Sequence, residues 1–93
     1  MLDQWLRLHR PALEALDLKA SITLGPSDRD KTAALLDIES SKGSSRLRLW
    51  SSGEAELVIF DFMTKEVVLE EHREISTHLG LDEVLENVKV WLT

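Results

Sequence analysis

Ninety-three residues, 43% of them hydrophobic and 30% charged, describe one globular domain, too short for two cores and too apolar for a disordered chain. Cysteine is absent, which excludes disulfide scaffolds, thiolate metal sites and cysteine nucleophiles together. The net charge of −6 is unevenly spread, +1 over residues 1–53 and −7 over residues 54–93, which disfavours nucleic acid and anionic membranes and suits a basic partner or plain solubility.

The first segment carries Leu2, Trp5, Leu6, Leu13 and Leu16 at helical spacing, predicting a helix over residues 2–16. Pro11 lacks an amide donor and crowds the carbonyl four residues back, so a kink is expected there. Five stretches of period two follow. Leu18, Ala20, Ile22 and Leu24 share one face of a first strand, Ala34, Leu36 and Ile38 of a second, and Leu47 and Leu49 of a third. Ala55, Leu57 and Ile59 mark the fourth, and Val67 and Leu69 the fifth. Turn residues punctuate them at Gly25-Pro26-Ser27-Asp28, Ser40 to Ser44, Ser52-Gly53 and Thr64-Lys65. Short strands joined by tight turns imply an antiparallel meander, because parallel neighbours need long crossovers.

The last segment is the clearest helix, predicted over residues 81–92. Leu81, Val84, Leu85, Val88, Trp91 and Leu92 form its apolar stripe, Asp82 and Glu83 occupy its first turn, and Gly80 is expected to break the chain before it. No apolar run approaches the roughly 18–20 residues of a membrane helix, and no basic segment followed by an apolar stretch marks a secretory signal, so a cytoplasmic address is expected. The expected fold is α+β over residues 1–93: a two-layer arrangement in which an antiparallel meander of four to five strands carries both helices on one face.

Alternation then assigns the opposite sheet face. It carries Lys19, Ser21 and Thr23; Leu35, Asp37 and Glu39; Arg46, Arg48 and Trp50; Glu56, Val58, Phe60 and Phe62; and Val68, Glu70 and His72. Aromatic residues and arginine are the types enriched at interface hot spots, which makes Trp50, Phe60, Arg48, Asp37, Glu39, Glu56 and Glu70 candidate partner-binding residues. Two plainer explanations compete: cross-strand pairs that merely stabilise the sheet, or a loop or terminus folded over Trp50 and Phe60.

Catalytic signals are weak throughout. His9, His72 and His78 have no metal-ligand spacing, and the carboxylates around His72 are explained by surface charge at a strand end. No Gly-x-Ser-x-Gly elbow exists, and four single glycines build no phosphate loop. Stacking of RNA on the exposed sheet would set phosphates against Asp37, Glu39, Glu56 and Glu70. Neither an enzyme, a metal nor a cofactor is therefore expected.

The run from Trp50 through Ser52, Gly53, Glu54, Leu57, Ile59, Asp61 and Thr64 to Glu66 resembles the pattern W-x-S-G-E-x-x-L-x-V-x-D-x-x-T-G-E. That pattern belongs to the TriTu family of bacterial immunity proteins. Lys65 departs from it where glycine is expected, and Val58, Phe60 and Phe62 around Asp61 make the expected partner face unusually apolar. The resemblance implies a cognate toxin, the C-terminal ADP-ribosyltransferase domain of an Rhs-type protein delivered by type VI secretion and acting on elongation factor Tu. It implies a 1:1 complex with that basic domain in the producing cell, blocking NAD or the target protein. A secretion chaperone and a homodimerising structural domain are the alternatives.

Overall fold

The computed structural model describes residues 2–24 and 33–93; the turn expected at Gly25-Pro26-Ser27-Asp28 lies outside them. Helix α1 (Leu2–Ala15) is followed by strands β1 (Lys19–Leu24), β2 (Ala33–Glu39), β3 (Gly43–Trp50), β4 (Glu54–Asp61) and β5 (Glu66–Glu74), and then helix α2 (His78–Leu92). The strands form one antiparallel sheet in the order β1-β2-β3-β4-β5, so the meander has five members. Both helices lie on one face, α1 against β1 and α2 against β3 and β4, and they touch each other. The α+β, two-layer expectation holds.

Helix α1 runs through Pro11 and ends in a left-handed turn. Asp17 has φ 59°, its amide donates to the Glu14 carbonyl at 3.0 Å, and the Leu18 amide donates to the Leu13 carbonyl at 2.9 Å. This is the Schellman pattern, with Asp17 where glycine is commoner, and buried Leu13 and Leu18 provide its hydrophobic contact. Leu16 consequently falls outside the helix and is 42% exposed, contrary to its place in the predicted stripe.

The sheet's helix-facing side is aliphatic. Leu36, Ile38, Leu47, Leu49, Ala55, Leu57 and Ile59 alternate inward and pack against Leu2, Trp5, Leu6, Leu13, Leu81, Val84, Leu85, Val88 and Leu92. One irregularity breaks the alternation. Between β4 and β5 the register shifts at Ile59/Phe60, with Ile59 opposite Leu69 but Phe60 opposite Val67. The extra residue, Val68, is a bulge. Val67 is thereby moved to the outer face, 52% exposed, while Val68 packs against the core, the reverse of the sequence expectation. Glu70 and His72 remain on the outer face, opposite Val58 and Glu56.

Helix α2 starts three residues earlier than predicted, and Gly80 lies within it. A side chain at Gly80 would meet Ile75 Cγ2 at 3.1 Å, so the bare Cα lets the first turn seat on a buried residue. Asp82 and Glu83 therefore sit beyond the first turn. Trp91, at the margin of the stripe, is 40% exposed. The Ser40 hydroxyl donates to the Leu92 carbonyl at 2.7 Å, tying the β2–β3 turn to the helix end.

Candidate partner-binding face

Cross-strand register lays the outer face out as rows. One row reads Lys19, Glu39, Ser44, Phe60 and Val67; the next Ser21, Asp37, Arg46, Val58 and Glu70; the third Thr23, Leu35, Arg48, Glu56 and His72. Trp50, opposite Ala33, begins a fourth. All seven candidates thus share a single surface, and among the described residues neither helix packs on it.

The charged groups differ in their engagement. Arg46 holds Asp37 in a two-pronged pair, Nε to Oδ1 at 2.8 Å and Nη2 to Oδ2 at 3.1 Å. That hydrogen bond, and then the charge of Asp37, raise the Arg46 pKa above its already high ordinary value, so the guanidinium stays charged. Arg48 turns to an aromatic partner, its Cζ 5.8 Å from the Trp50 ring centroid, in the range of a cation–π contact. Glu56 is opposite Arg48 yet forms no ion pair with it. The carboxylates of Glu39, Glu56 and Glu70 have no hydrogen-bond or ion-pair partner among the described residues. The plainer explanation for the face therefore accounts for Asp37 and leaves the other three.

The apolar groups are equally uneven. Of the five aromatic residues only Trp5 enters the core. Trp50 and Phe60 are half-buried, and Phe62 is 38% exposed. Phe60 and Phe62 meet edge to face, their ring centroids 6.0 Å apart. Phenylalanine is normally a core residue, so placing both at the surface forgoes burial that the fold could have used.

Elsewhere the polar clusters are structural. Glu71 lies on the helix side of β5, where Arg73 grips it at 2.9–3.2 Å, so the carboxylates that neighbour His72 in sequence are split between two faces. His9 lies near Asp82, but among the described residues no three His, Cys, Asp or Glu side chains gather to hold a metal ion. No helix among the described residues is long and apolar enough to cross a membrane.

A family model described as immunity protein TriTu matches residues 1–91, almost the whole chain. The chain belongs to the TriTu family. No curated protein matches it. Membership gives it an immunity function, and an immunity protein implies a cognate toxin as partner. The stretch that carries the TriTu pattern in this chain is built around its turns. Gly53 has φ 94°, and its amide donates to the Trp50 carbonyl at 3.0 Å. Asp61 accepts at Oδ2 from the Thr64 amide at 3.2 Å and from the Thr64 hydroxyl at 2.9 Å. Lys65, where the pattern has glycine, has φ 59°, so in this TriTu protein a residue with a side chain occupies the left-handed region that favours glycine.

Proposed function

We propose that this TriTu-family protein neutralises an ADP-ribosyltransferase domain at the C-terminus of an Rhs-type toxin delivered by type VI secretion. It does so by laying its outer sheet face over that domain, one copy to one, in the cytoplasm of the producing cell. The observation that carries this reading is the outer face, on which neither helix packs and where, among the described residues, Trp50 and Phe60 stand among carboxylates that lack partners. In this reading Trp50 and Phe60 are apolar anchors, and Arg48, steadied by the Trp50 ring, makes a charge-assisted contact. Glu39, Glu56 and Glu70 meet basic groups on the toxin, which speeds encounter and selects the partner. Asp37 serves the face through Arg46, which it holds in place.

Occlusion needs no chemistry from this chain: covering the cleft excludes NAD, elongation factor Tu, or both. A standard interface buries on the order of 800 Å² on each partner, which suits a five-stranded face. The test is an ADP-ribosylation assay with purified toxin domain, NAD and elongation factor Tu. Modification stops at one equivalent of this protein if the proposal is right. Binding without inhibition at excess would instead identify a chaperone.

A further inference from the structure

The β4–β5 bulge does more than break a pattern. By moving Val67 outward beside Phe60, it completes an apolar corner of Phe60, Phe62 and Val67, with Met63 91% exposed in the adjoining turn. Next to this corner the outer face dips into a hollow of about 400 Å³. It is lined by Val58, Phe60, the Arg46–Asp37 pair and the small side chains of Ser21 and Ser44. A ridge beside a hollow is the relief that shape-complementary interfaces use, and hot spots gather in such desolvated pockets.

The corner is separate from Trp50. Ser44, opposite Phe60, precedes Trp50 by six residues along β3, a span of roughly 20 Å at the rise of an extended strand. Around the corner stand Glu39 and Glu70 on the sheet face, which have no partner among the described residues, and Asp61 and Glu66 at the ends of its own strands, against Lys42 and Lys65 in the adjoining turns, while Arg46 is paired with Asp37. A second copy of this acidic chain would bring carboxylates against carboxylates. A basic surface would not.

We propose that this corner is the dominant anchor for the toxin, and that the toxin meets it with an aliphatic or aromatic side chain set among basic residues and seated in the hollow. The inference rests on the occlusion reading and adds Phe62 and Val67 as residues that determine partner specificity. Both are solvent-exposed, so serine at either position leaves the core intact. The experiment measures the affinity of F62S, V67S, W50A and E56K for a catalytically inactive form of the cognate ADP-ribosyltransferase toxin domain, with the mass of each free protein in solution. Expected are monomers throughout, and a loss of about 30-fold or more in F62S and in V67S. Unchanged affinity in F62S and V67S, with loss in W50A and E56K, overturns the anchor and leaves the occlusion face standing. Unchanged affinity in all four overturns both. A parent dimer that F62S converts to a monomer of unchanged toxin affinity assigns the corner to self-association and overturns the proposal.

Discussion

Trp5 and Asp82 lie 77 residues apart and are joined by a 2.9 Å hydrogen bond from the indole Nε1 to Oδ1. The same oxygen is 3.2 Å from His9 Nε2, and the His9 ring stacks on the indole with centroids 4.5 Å apart. His9 Nδ1 reaches the Trp5 carbonyl at 2.9 Å. One carboxylate therefore ties the two helices together over a fully buried aromatic ring. Asp82→Ala strands a donor in the interior and should cost about 1–3 kcal/mol in urea unfolding. Asp82→Asn keeps a carbonyl acceptor and should cost less. Equal losses would show that the bond contributes nothing beyond packing.

The turn after β4 makes a second prediction. Lys65 occupies a left-handed conformation that costs a residue with a Cβ about 1 kcal/mol relative to glycine. Lys65→Gly should leave stability equal or raise it by up to about 1 kcal/mol, since backbone entropy offsets part of the relief. Gly53→Ala, at φ 94°, should destabilise by about 1–2 kcal/mol. Thermal unfolding of the two variants reads both signs.

Gly80 inverts a familiar rule. Inside a helix, glycine to alanine normally stabilises by about 1 kcal/mol. Here the new methyl would press on Ile75 at 3.1 Å and 3.3 Å, and Ile75 is buried. Gly80→Ala should therefore lose about 1 kcal/mol through overpacking. A gain in the denaturant midpoint would mean that Ile75 yields freely.

On the outer face the pairing ranks the substitutions. Asp37 already spends both oxygens on Arg46, so Asp37→Ala should weaken toxin binding less than Glu56→Lys or Trp50→Ala. Asp37→Ala should unfold cooperatively near the parent midpoint, because exposed pairs add little to stability, and Glu56→Lys and Trp50→Ala, which leave the core untouched, should remain folded. Raising the salt concentration should slow association more than it speeds dissociation, as expected when steering rather than packing is screened. Calorimetry and stopped-flow mixing measure these separately.

Much of the fold was legible because alternation and helical stripes are local signals. Leu36, Ile38, Leu47, Ala55, Leu57 and Ile59 enter the core as their period-two spacing predicts, and Leu81 to Leu92 bury the expected stripe apart from Trp91. The misses depend on contacts distant in sequence. Val67 and Val68 exchange faces because β5 must match β4, and nothing within β5 announces the extra residue. Gly80 reads as a breaker until Ile75 is seen against it. Parity alone places the seven candidate residues on one surface, but the grip of Arg46 on Asp37 follows from the β2–β3 register. The apolar corner was half legible: Phe60 and Phe62 share parity, whereas Val67 arrives only through the bulge.

Each strand bonds only to its neighbours along the chain. A sheet assembled from successive hairpins closes short loops, and topologies dominated by such nearby pairings cross their folding barrier sooner than those requiring distant ones. For an immunity protein this matters as timing: on the proposed occlusion reading, the surface that meets the toxin is complete as soon as consecutive hairpins zip, so newly made copies become competent quickly.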